Sequence, residues 1–125
     1  MVKLLDLSYR EEFESGLDDN KEKSQFVIGP LTARQMFSVY NKNEKGLNGG
    51  NAANANVAID FARLGLKKVK GPLGKGFKME KCKDYGFECN AVKFDYLDTL
   101  PVQLLLEIGG WVTEVSKLGA KGKKG

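Results

Sequence analysis

TLPVQLLLEIGGWVTEVSKL, running from Thr99 to Leu118, is the most strongly patterned stretch of this sequence, and its reading governs that of the rest. Leu104, Ile108, Trp111, Val115 and Leu118 recur at steps of four and three, while Gln103, Glu107, Gly110, Glu114 and Lys117 repeat the rhythm on the other side. The spacing predicts an amphipathic helix with one face made for burial. Leu105, Leu106 and Val112 widen the apolar stripe beyond a narrow coiled-coil seam, so the helix needs a core to cover or a partner to grip. Asp98 or Thr99 can cap its start, and Pro101 fits the first turn because its missing donor would be unpaired there anyway. Gly109 and Gly110 stand in the helix interior, where each costs roughly 1 kcal/mol relative to alanine. Either the helix bends there or another backbone comes close.

Before this helix, residues 67–97 change to short alternations broken by glycine. Phe77 to Cys82 reads as a strand, Tyr85-Gly86 as a turn, Phe87 to Cys89 as a returning strand, and Val92, Phe94 and Tyr96 as the clearest strand of the set. The Asn-rich run 51–56 offers caps for a helix through Val57, Ile59, Phe61, Ala62 and Leu64. Gly65 should stop it in a left-handed conformation, with Leu66 packing back on Phe61. Gln25 to Ile28 reads as a strand ended by Gly29-Pro30. A helix follows to about Asn41, with Thr32 and Gln35 as a capping box and Leu31 with Met36 as its hydrophobic staple, burying Met36, Phe37 and Tyr40. Asn43 to Gly50 reads as a protruding polar loop. The expected organisation is an N-terminal arm over residues 1–23, loosely held, an α+β domain over 24–118, and a basic flexible tail over 119–125. Its fold class is α+β, with about three helices, a small antiparallel sheet and the C-terminal amphipathic helix at the centre.

Composition narrows the chemistry. At 125 residues the chain can bury a core without disulfides or a metal, and its apolar and charged fractions of 42% and 29% are those of an ordinary globular protein. No apolar run approaches the ~20 residues that span a bilayer, and Met1 to Arg10 lacks the apolar segment of a secretory signal, so a cytoplasmic location is expected. With no histidine there is no Ser/His/Asp or Cys/His set and no usual acid–base group near neutral pH. Asp95 with Asp98, and Glu107 with Glu114, fit a solvated face better than a catalytic cleft. Cys82 and Cys89 stand seven apart, wider than zinc pairs, and read as free thiols. GPLGKG at 71–76 has two residues where a phosphate loop needs four, and lacks the Ser or Thr that holds magnesium. No cofactor, metal or catalytic residue is expected, and the chain is read as a non-enzyme. The net charge of +4 gathers in Lys67, Lys68, Lys70, Lys75, Lys78, Lys81 and Lys83 and at the C-terminal end. Solvated lysine explains these clusters better than nucleic-acid binding, because arginine for base-edge contacts is scarce.

Three segments, QFVIGPLTARQM (25–36), NVAIDFARLGLKKVKG (56–71) and DYLDTLPVQLLLEIGGWVTEVSKL (95–118), resemble small tailed-bacteriophage morphogenesis proteins, in particular the tail-assembly chaperone group. Together they cover about half the chain, through apolar spacing and helix punctuation. Many such proteins carry an acidic extension after the final helix, whereas this chain ends in lysines and glycines. The resemblance implies a protein without catalysis, made in the host cytoplasm, that holds apolar helices of a tape-measure protein in solution and helps recruit tail-tube subunits. Its partner-binding residues would be Leu104, Ile108, Trp111, Val115 and Leu118, unless these side chains form the core. The alternative is a structural virion component, such as a head decoration or connector protein, contacting capsid or tail subunits or further copies of itself. A third reading is a nucleic-acid-binding accessory protein. None of them involves a membrane.

Overall fold

The computed structural model describes residues 4–43 and 51–122, with side chains for 4–43 and 55–117. Three short strands, β1 (Glu11–Phe13), β2 (Gln25–Ile28) and β3 (Leu66–Lys70), form an antiparallel sheet with β2 in the middle. Its register sets Phe13 opposite Phe26, Phe26 opposite Val69 and Ile28 opposite Leu66, with an irregularity between Val27 and Ile28. A second sheet is the hairpin of β4 (Met79–Cys82) and β5 (Cys89–Val92). Helices α1 (Ala33–Lys42), α2 (Asn51–Gly65), α3 (Phe94–Leu97) and α4 (Val102–Gly122), with a short 3-10 turn at Pro72–Gly74, complete the described elements. The fold is α+β, with the long C-terminal helix packed chiefly on α2.

The capping box forms as the sequence predicts: the Gln35 amide donates to Thr32 Oγ1 at 3.1 Å, and the Thr32 amide donates to Gln35 Oε1 at 2.9 Å. The buried side of α1 is different, however. Val39 is fully buried and Tyr40 packs its ring edge-to-face with Phe61, while Phe37 faces outward, so α1 docks through a narrower face than its apolar content implies. The segment expected as a loosely held arm supplies the edge strand β1. A loop follows whose Ser15, Asp18 and Ser24 are buried, with Asp18 accepting the Ser24 amide at 2.8 Å and the Asn20 amide at 3.1 Å. The expected tail is helical as far as Gly122, because α4 continues past Leu118. The expected loop at 43–50 lies, beyond Asn43, outside the described residues.

Phe94 to Leu97, expected as strand, is one helical turn. The Asp98 amide donates to the Phe94 carbonyl at 2.8 Å, and the turn buries the adjacent side chains Tyr96 and Leu97 together, which a strand would send to opposite faces. Gly65 also serves another purpose than the one expected. It does not adopt the left-handed region, and α2 runs straight into β3. A Cβ on Gly65 would collide with both methyl groups of Val112, so the glycine makes room for α4. Gly109 does the same from the opposite helix: its Cβ would meet the Ala58 carbonyl oxygen at 2.5 Å. Close backbone approach, rather than a bend, accounts for that glycine. Among the described residues no helix is long and apolar enough to cross a membrane.

Candidate functional site

The five residues expected to bind a partner sit on α4, and the structure places four of them. Leu104, Ile108 and Val115 are buried in a core shared with Phe26, Phe61, Leu64 and Leu97. Trp111 is half-buried, stacked on Phe13 with ring centroids 4.8 Å apart and tilted against Phe26 at 5.8 Å. The side chain of Leu118 lies outside the described residues. In this fold the stripe therefore covers the chain's own sheet and α2, the first of the two roles its pattern allows. Burial of broad apolar surface is the dominant gain in folding, and the nearest surface available to cover it belongs to the same chain.

What remains outward on the helices is a different apolar set. Phe37 (64% exposed) projects from α1, with Tyr40 partly exposed three residues on and its ring edge-to-face with buried Phe61, centroids 5.5 Å apart, and Val102 (53%) and Leu106 (40%) project from α4 four apart. Both spacings place the pair on one helical face. Gly110 continues the outer side of α4 beside Thr113, Glu114 and Lys117, which line a shallow depression. A second depression lies between Thr32, Arg34, Gln35 and Phe87, and a third brings Leu17 against Pro101 and Leu104.

Among the described residues, a dense group of ionisable side chains is one the sequence reading overlooked. Arg63, 2% exposed, donates through Nε to the Val92 carbonyl at 3.0 Å, through Nη1 to Asp84 at 2.8 Å and through Nη2 to Glu80 at 2.9 Å. Its guanidinium lies 4.0 Å from the Phe94 ring centroid. Burial works against its charge, but hydrogen bonds to Asp84, Tyr85 and Glu80 prevail and raise its pKa above the ordinary arginine value. One turn earlier, buried Asp60 accepts from the Tyr85 hydroxyl at 2.7 Å, from Asn43 at 3.0 Å and from Lys42 at 3.3 Å. Burial, reinforced by Asp60, pushes the Tyr85 phenol well up, whereas the Arg63 hydrogen bond holds Asp84 below the usual carboxylate range. Every strong donor here has a partner within the cluster. Its evident work is to fasten the β4–β5 hairpin to α2. Two charged residues three apart in the otherwise apolar IDFARLG run were the available signal, since both occupy one helical face.

The remaining candidates are placed as follows. Asp95 and Asp98 are exposed, and Glu107 accepts a hydrogen bond from Ser15. Of the central lysines, Lys70 pairs with Glu12 at 2.7 Å, and Lys67 turns its ammonium to the Leu64 carbonyl at 2.9 Å, where burial lowers its pKa. No protein-family model, curated protein or solved structure matches this chain.

Proposed function

We propose that the chain is a non-enzymatic bacteriophage assembly protein of the tail-assembly chaperone type, acting in the host cytoplasm on apolar helices of a tape-measure or tail-tube protein. The observation that carries this reading is the set of exposed apolar side chains, Phe37 with the outer part of Tyr40 on α1 and Val102 with Leu106 on α4, left on helices whose inner faces are already covered. Residues spaced by three or four on an exposed helix are the anchors with which helical partners are gripped. The likeness of residues 25–36, 56–71 and 95–118 to the chaperone group supports the same reading. Contact is assigned to this outer set, because Leu104, Ile108 and Val115 are engaged at home.

That engagement also favours a second reading, a structural virion component. A molecule whose longest helix is covered along its inner face has no stripe to exchange with a client. The two readings separate in one experiment on a tagged copy expressed during infection. The chaperone reading expects tape-measure protein in the purified complex and no tagged chain in finished particles by mass spectrometry. Phe37→Gln with Leu106→Gln should abolish the complex while leaving stability within about 1 kcal/mol of wild type, as surface changes do. Stoichiometric presence in particles would replace the first reading with the second, and absence from both complex and particle would overturn both.

A further inference from the structure

We propose that Cys82 and Cys89 form a redox-active dithiol that closes reversibly to a disulfide across the β4–β5 hairpin, with a low-molecular-weight disulfide of the glutathione type as oxidant. The two residues are direct partners in the antiparallel register, so their side chains leave the same face of the hairpin. Opposed residues in such a pair have Cα atoms about 4.5 or 5.5 Å apart, and both values fall inside the roughly 4.4–6.8 Å that a disulfide requires. Both thiols are free, and their sulfurs already stand 3.5 Å apart. Bonding at about 2.05 Å therefore asks the sulfurs to approach by on the order of 1.5 Å, with the strands left in register.

The two thiols differ in access, and this sets the order of events. Cys82 is buried, whereas Cys89 is partly exposed. Deprotonated Cys89 attacks one sulfur of the oxidant, forming a mixed disulfide and releasing one small thiolate, which takes up a proton. Cys82 then loses its proton and attacks the Cys89 sulfur, expelling the second small thiol. Two protein thiols are oxidised, one small disulfide is reduced to two thiols, and the reverse exchange restores the dithiol. Burial, followed by the hydrogen bond with Cys82, raises the Cys89 pKa to about 11, against the weaker opposing pull of Arg63 and Lys67. Closure is thus slow at neutral pH and quickens about tenfold per pH unit as the thiolate fraction grows. The bond encloses Lys83 to Glu88, the loop that presents Asp84 and Tyr85 to Arg63 and Asp60, so oxidation adds a covalent tie to a hairpin otherwise held by side-chain contacts to α2.

The test is incubation of the reduced full chain with oxidised glutathione between pH 7 and 9, followed by intact-mass measurement and tryptic mapping. The expected product has lost two hydrogen atoms and yields the dipeptide Cys82-Lys83 joined to the peptide from Asp84 to Lys93. Its melting temperature is several degrees higher, since closing a loop constrains the unfolded chain. Cys82→Ser should stop at a stable glutathione adduct on Cys89, and Cys89→Ser should react far more slowly. A wild-type chain that stops at the mixed disulfide, links to a second copy, or keeps both thiols at pH 9 would overturn the proposal.

Discussion

Two neighbouring glycines on α4 should respond differently to the same substitution. At Gly110 an added Cβ meets nothing within 4 Å, and the residue is exposed. Gly110→Ala therefore gains helix propensity alone and should stabilise the protein by roughly 0.5–1 kcal/mol. At Gly109 the same methyl group lies 2.5 Å from the Ala58 carbonyl oxygen and 2.9 Å from its carbonyl carbon and Cα. A comfortable carbon–oxygen contact is about 3.3–3.6 Å, so α2 and α4 must part by on the order of 1 Å, and the obstacle is backbone that no rotamer change removes. Overpacking of this kind costs about 1–3 kcal/mol or more, while the propensity gain returns roughly 1 kcal/mol. The net expectation for Gly109→Ala is a change between about zero and a loss of about 2 kcal/mol, against a gain at Gly110. Urea unfolding followed by circular dichroism reads both variants, with unchanged slopes confirming that only stability has moved. If Gly109→Ala matched or exceeded the stability of Gly110→Ala, the close crossing of α2 and α4 would be refuted.

Arg63→Met keeps much of the aliphatic bulk but removes the cation between Glu80, Asp84 and the Val92 carbonyl. Because both carboxylates retain solvent access, the loss should be about 2–3 kcal/mol, below the full cost of stranding a buried charge, with protection against hydrogen exchange falling first in β4 and β5. Acid should unfold the protein through Asp18 and Asp84. Backbone hydrogen bonds from Ser24 and Asn20 lower the pKa of Asp18, and the Arg63 hydrogen bond lowers that of Asp84. Their contribution is complete above the unfolded value of about 3.9 and is lost as pH falls through the depressed native values. Stability measured from pH 6 to pH 2 should drop below about pH 4, and Asp18→Asn with Asp84→Asn should flatten that limb; an unaltered limb would assign it to other carboxylates.

Local chemistry was legible in the sequence to the extent that its cause lay within a few residues. Thr32 and Gln35 are three apart and complete each other's hydrogen bonds, so the start of α1 could be read without knowing the rest of the chain. The stripe of α4 announced a buried face, but periodicity is the same whether the covering surface is Phe26 and Phe61 of this chain or a second protein. Long-range pairing was harder to see: Glu11–Phe13 is short and acidic, and becomes a strand only because β2 lies beside it. Alternation misled at Phe94 and Tyr96, because two aromatic residues spaced by two also fit one helical turn. Gly65 read as an ordinary helix stop and Gly109 as a bend or a close approach, and the neighbours that require them, Val112 and Ala58, are distant in sequence. Arg63 was overlooked because its carboxylate partners arrive on a separate hairpin.

Whether the inner face of α4 is core or docking surface decides where this protein makes its contacts, and Trp111→Ala asks that question most directly. With its ring against Phe13 and Phe26 and partly shielded from water, truncation should lower the unfolding free energy by about 3 kcal/mol in urea, at the low end for packed aromatics. An unfolding midpoint indistinguishable from wild type would mean that the tryptophan carries no weight in the folded chain, and would return the inner face to the partner.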